Sequence, residues 1–150
     1  MKKAGRGYTY DELEVGMQEL FSKTISESDV YLFAGITGDF NPIHVNEEYA
    51  KTTRFGRRIV HGPLTLSLGA SILGTKLPGP GAIYVSQSLN FRGPVRIDDL
   101  VTARAQVVSM CGEKFRVTFE CECLVEGETV LDGEAVVLVP SRADRASGSA

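Results

Sequence analysis

From Pro63 to Thr75 the chain carries no charged residue, and no other stretch limits its possible folds as tightly. Leu66, Ala70, Leu73 and Leu77 form one helical stripe along it, and Leu64, Leu68 and Ile72 form the adjacent one. Pro63 opens the helix at a position where no N–H is missed, and Pro78-Gly79-Pro80-Gly81 ends it. A helix apolar nearly all round has to be enclosed. The only large surface available lies downstream, where the hydrophobic period changes from helical to alternating. Ile83–Arg92, Leu100–Met110, Lys114–Val125 and Thr129–Val139 read as long strands. Breaks at Gly93-Pro94, Asp98-Asp99, Cys111-Gly112-Glu113 and Glu126-Gly127-Glu128 separate them. Successive hairpins of this kind give an antiparallel sheet. The sequence therefore predicts an α+β domain, its antiparallel sheet wrapped around one long central apolar helix.

Upstream of that helix the signals are shorter. Met17–Thr24 reads as a strand, and Ser26-Glu27-Ser28-Asp29 as a capped helix start with acids at the positive end of its dipole. Val30, Phe33 and Ala34 carry the helix to a stop near Gly35–Gly38, and Asn46 caps a second, short helix. At 150 residues one domain is expected. It spans residues 8–140, with a flexible start (1–7) and a small, polar, disordered tail (141–150).

The formal charge of −3 argues against a nucleic-acid partner, which requires a basic face. No apolar run approaches the roughly 18 residues of a membrane span, and the basic start lacks the apolar stretch of a signal peptide. A cytoplasmic protein with no membrane partner is expected. Cys111, Cys121 and Cys123 lack metal-ligand spacing, so no metal is expected, and they read as ordinary thiols in a reducing compartment.

The chain has two histidines, and both fall in one window. His44 closes Gly38-Asp39-Phe40-Asn41-Pro42-Ile43-His44, and His61 lies in Ile59-Val60-His61-Gly62-Pro63-Leu64. Pro42 fixes its own φ and pushes Asn41 out of the α region, so Asp39 and His44 share a sharp, rigid turn rather than a helix face. A carboxylate and an imidazole held by stiff backbone are what acid–base chemistry on a small substrate requires. Gly62 sits at the first turn of the apolar helix, where free N–H groups and the dipole favour a developing negative oxygen.

Phe33–Ala50, with Asp39-Phe40-Asn41-Pro42-Ile43-His44 at its centre, resembles the hydratase 2 motif of MaoC-like proteins, which include the (R)-specific enoyl-CoA hydratases. Ile59-Val60-His61-Gly62 and Ile83–Phe91 are similar to the same family, and the resemblance spans roughly Tyr8 to Pro140. It implies a hotdog fold, a homodimer or higher homo-oligomer, and reversible hydration of a trans-2-enoyl thioester to the (R)-3-hydroxyacyl thioester. The implied substrate is an acyl-CoA, and no metal or organic cofactor is implied. By position, Asp39 and His44 match the catalytic pair, Asn41 a polar residue that helps fix the site, and Gly62 the backbone donor to the thioester oxygen. Two positions depart from the pattern: Pro63 stands where many relatives have methionine, and Ala70 where some have serine.

Beside these, His61 reads as a supporting residue. Among the basic residues Lys51, Arg54, Arg57 and Arg58, the three arginines are candidates for the coenzyme A phosphates. Tyr84 and Phe91 are candidates for the acyl pocket, against the plainer reading of strand aromatics as core. Arg92, at a strand end, is expected to pair locally. The competing functions are a non-catalytic acyl-CoA-binding hotdog, a partner subunit of a heteromeric dehydratase, and a thioesterase.

Overall fold

The structure, a computed structural model, describes residues 5–147. Five strands form one antiparallel sheet: β1 (Gln18–Thr24), β2 (Ile83–Phe91), β3 (Leu100–Cys111), β4 (Arg116–Val125) and β5 (Glu128–Leu138). Their order across the sheet is β1-β3-β4-β5-β2, so β1 and β2 are the edges. The helices are α1 (Glu27–Thr37), α2 (Pro42–Val45), α3 (Glu47–Lys51), α4 (Gly62–Thr75) and α5 (Arg142–Ala146).

Alternation along the strands sends one set of side chains inward. Val101, Ala103, Ala105 and Val107 of β3 face inward together with Val117, Phe119, Cys121 and Cys123 of β4 and Leu131, Ala135 and Val137 of β5. Against that face lies α4, burying Leu68, Ile72 and Leu73. Each such side chain is worth roughly 1.5–3 kcal/mol of transfer free energy. This is a hotdog fold, with α4 as the central helix. The segment that enters α4 is tied to the chain after β2 by an Ile59–Arg96 bridge and by the Val60 N–H donating to the Val95 carbonyl (2.8 Å).

Enclosure of α4 is less complete than its lack of charge implies. Pro63, Ser67, Gly74 and Thr75 are exposed, and only the sheet-facing side is sealed. The open side is uncharged because its hydroxyls are satisfied locally: Ser67 donates to the Pro63 carbonyl (2.8 Å), and Thr75 to that of Ser71 (2.6 Å).

Both ends are more ordered than expected where they are described. Ser141 caps α5 in a reciprocal pair with Asp144, and Arg145 donates to the carbonyls of Gly7 (2.7 Å) and Pro80 (3.1 Å). Arg6 in turn pairs with Glu12. The tail thus clamps the start of the chain to the loop after α4, because a cap and a five-donor guanidinium supply partners that composition does not reveal. Residues 1–4 and 148–150 of the expected flexible ends lie outside the described residues. Among the described residues no helix is long and apolar enough to cross a membrane.

Candidate active site

The Asp39 turn is assembled by local capping. Gly38 ends α1 in the left-handed region (φ 79°), and the Thr37 hydroxyl accepts the Asp39 N–H (3.2 Å). Asn41 takes φ −51° and ψ 123°, the non-helical conformation that Pro42 imposes, and its side chain caps α2 by accepting the Ile43 N–H (3.2 Å). The Asn41 N–H donates to the Asp39 carboxylate (3.2 Å), which fixes that side chain over the turn. Where the sequence reading has a plain turn, Pro42–Val45 closes into one helical turn, and this carries His44 back towards Asp39.

His44 Nδ1 lies 2.8 Å from the Ile59 carbonyl. Only a protonated Nδ1 can make that bond, so in the neutral ring Nε2 carries the free lone pair. His61 is fully buried, with Nε2 2.9 Å from the Asp39 carbonyl and Nδ1 without a partner among the described residues. Its ring stacks on His44 (centroids 3.9 Å apart) and against Phe33 (4.9 Å). Donor atoms of Asp39, His44 and His61 all lie within 4.8 Å of one another. One nitrogen of each imidazole is committed to a backbone carbonyl, which fixes the orientation and tautomer of the ring. Burial, the largest influence, lowers the His44 pKa below its ordinary value. The neighbouring His61 lowers it further, while the Ile59 carbonyl and Asp39 oppose the shift. His44 is therefore neutral near neutral pH and can accept a proton at Nε2.

His44 and Gly62 line one cavity of about 500 Å³, whose inner wall includes Thr65, Val95 and Val130. Gly62 begins α4, and among the described residues no backbone acceptor takes its N–H, while the Leu64 and Thr65 N–H groups both go to the His61 carbonyl. Phe91 covers Gly62 closely: a methyl group on Gly62 would come within 2.5 Å of the ring.

The outer candidates divide. Phe91 and Arg54 line the cavity, Arg54 lying over the Phe55 ring (4.8 Å). Arg92 also lines it while pairing with Asp132 (2.7 Å). Arg57, Arg58 and Tyr84 do not. Arg57 borders a separate charged cleft. Arg58 is consumed by Glu27, Glu47 (3.2 Å) and the Tyr31 hydroxyl (3.1 Å), so it braces α1 and α3 rather than offering a free cation. The Tyr84 hydroxyl donates to Gln87, and burial pushes its pKa up to about 12. Thr65, Phe33 and the Ile59 carbonyl were not singled out by sequence reasoning, since nothing in spacing or composition marks them.

Comparison with known proteins fits this architecture. The model of the MaoC like domain matches residues 13–127. The chain belongs to the MaoC-like family. This MaoC-like chain is 53% identical over 133 residues to the (R)-specific enoyl-CoA hydratase of Rhodospirillum rubrum, covering 89% of this chain and 92% of that one. It is also 53% identical to the 3-hydroxybutyryl-CoA dehydratase of Methylorubrum extorquens, covering 89% and 85%. Among solved structures, the (R)-hydratase from A. caviae involved in PHA biosynthesis superposes with a TM-score of 0.83 at 42% identity, covering 85% of this chain and 98% of that one.

Proposed function

We propose that this chain catalyses the reversible syn hydration of a trans-2-enoyl-CoA to the (R)-3-hydroxyacyl-CoA. The observation that carries the proposal is that the Asp39 carboxylate lies within 4.8 Å of a ring nitrogen of His44, which lines the same cavity as Gly62. Relatives named for this reaction, at 53% identity, support it.

In this reading one water sits between the Asp39 carboxylate and His44 Nε2. Its oxygen bonds to C3 as the C2–C3 double bond opens, and the electrons move onto the thioester oxygen. The Gly62 N–H stabilises that enolate oxygen at the positive end of α4. The proton taken from water passes through the Asp39/His44 pair to C2 on the same face, so one water supplies both added groups. Asn41 and His61 hold Asp39 through its carboxylate and its carbonyl. Proton transfer and charge stabilisation come from the protein alone, coenzyme A being part of the substrate.

The active form in this reading is a homodimer. β2 lies at the sheet edge and exposes Ile83, Tyr84, Val85 and Phe91, and a second copy aligned on this edge would extend the sheet and cover the open side of α4.

The decisive assay follows loss of the enone absorbance across crotonyl-CoA and longer enoyl-CoA thioesters, with chiral analysis of the product. Hydration to the (R) alcohol is expected. No turnover of any of them would leave an acyl-CoA-binding hotdog without this activity. Release of free thiol would instead indicate a thioesterase.

A further inference from the structure

We infer that the Thr65 hydroxyl is a second hydrogen-bond donor to the thioester oxygen, acting beside the Gly62 amide; this rests on the hydratase reading above. Thr65 lines the same cavity as Gly62 and His44, yet it is only 3% exposed and its Oγ1 has no partner among the described residues. A buried hydroxyl left unpaired costs folding free energy, so its retention calls for a reason.

On α1 and α4 the hydroxyls of Thr37, Ser67, Ser71 and Thr75 all fold back onto carbonyls of their own helix. Thr65 does not. The carbonyl it would reach, four residues back, belongs to His61 and already accepts both the Leu64 N–H (3.1 Å) and the Thr65 N–H (3.3 Å). A carbonyl oxygen has two lone pairs, and both are taken. That carbonyl is closed to the hydroxyl, and the bond three residues back that Ser71 makes to Leu68 has no counterpart at Thr65 among the described residues.

Position supplies the target. Residues three apart share a helix face, and a helical side chain leans over the turn N-terminal to it. Thr65 accordingly leans towards the Gly62 turn, where the free N–H emerges. The side chains of the remaining inner wall, Val60, Val95 and Val130, are apolar and offer the hydroxyl no partner. A negative oxygen docked on Gly62 is thus the acceptor that the hydroxyl lacks. Rotation about χ1 exchanges its methyl and hydroxyl, bringing the O–H to the oxygen as charge builds there. Because that charge exists only along the reaction, the bond acts on turnover more than on binding.

The test compares Thr65→Val, Thr65→Ser and Thr65→Ala on crotonyl-CoA, reading kcat, KM and the thermal midpoint. Thr65→Val keeps the shape and removes an unsatisfied group, so its midpoint should hold or rise while kcat falls by about 10²-fold, the usual effect of losing one such donor. Thr65→Ser should recover most of the loss, and KM should change little. Should the valine variant fold poorly, the serine and alanine pair decides: serine active with alanine impaired supports the assignment, and equal activity overturns it. An unchanged kcat in Thr65→Val, or a change confined to KM, also overturns it. A wild-type protein inactive on every enoyl thioester overturns the hydratase reading itself, a result separable from failure of Thr65 alone.

Discussion

Replacing Gly62 by alanine tests whether the helix-end amide is used. The added Cβ would lie 2.5 Å from Phe91 Cε1 and 2.7 Å from Cζ. Carbon atoms settle at about 3.5–4.0 Å, so the ring has to retreat by roughly 1 Å. Phe91 can yield, because the clash is with the far end of its side chain. The fold should therefore survive at the low end of the overpacking range, about 1 kcal/mol. For a chain of this size that lowers the thermal midpoint by about 2–4 °C. Activity should suffer more. The new methyl stands where the thioester must approach the amide, and misplacement of about 1 Å can cost on the order of 10² in turnover. The assay is hydration of crotonyl-CoA beside a thermal melt, repeated with Phe91→Ala in the Gly62→Ala background. Removing the ring should restore the midpoint, a coupling expected between touching residues, but not kcat, since the methyl remains at the amide. Full turnover in Gly62→Ala would refute the role of the amide. A double variant that regains activity would show that displacement of Phe91, rather than blockage of Gly62, was responsible.

Asp39→Asn and His44→Gln should each reduce kcat by about 10²–10⁴-fold without a large change in thermal midpoint. The folded-state pKa of His44 lies below its unfolded value, so the unfolded chain takes up the proton first as pH falls. Stability should be complete above about pH 6.5 and decline as pH drops through and below it, and His44→Gln should flatten that slope in pH-dependent melts. The acid limb of kcat should likewise lie below the ordinary histidine range. Arg58→Ala should lower midpoint and activity together, because Arg58 joins Glu27 of α1, Glu47 of α3 and Tyr31 just ahead of the Ile59 carbonyl that orients His44. Arg58→Lys should recover little, as one ammonium cannot serve those partners from a planar fork. Light scattering should give a dimer, and Val85→Lys on the exposed β2 edge should shift it towards monomer.

What could be read from the sequence follows what its periodicities encode. Strand positions such as Val117, Phe119 and Cys121 alternate cleanly, and all three are buried on the α4 side. Pro42 constrains the backbone locally, so a stiff turn carrying both Asp39 and His44 can be read from the sequence. The open side of α4 was not visible, because absence of charge does not distinguish a buried face from one whose serines bond their own helix. Arg54 and Arg58 could not be told apart either, since a loop has no period and the fate of a long side chain depends on distant carboxylates. The C-terminal helix did have a signal, the Ser141…Asp144 capping pair, which composition alone obscures.

The location of the unpaired buried atoms bears on why this corner differs from the rest of the core. The buried side-chain polar atoms without partners among the described residues are Thr9 Oγ1, His61 Nδ1 and Thr65 Oγ1. Two of the three belong to residues that flank Gly62 within one helical turn. Each such atom costs about 1–3 kcal/mol in a folded protein, so a chain selected for stability alone would replace them with apolar groups. The Phe119, Leu131 and Val137 region shows that the same sheet can do so, burying only apolar side chains against α4. Concentrating that cost beside the Gly62 amide is consistent with a site left incomplete by design, whose missing partners arrive with the substrate. On that argument a variant that relieves the cost, such as Thr65→Val, should melt no lower than the wild type and turn over more slowly, and a variant that did both better would break the link between strain and function.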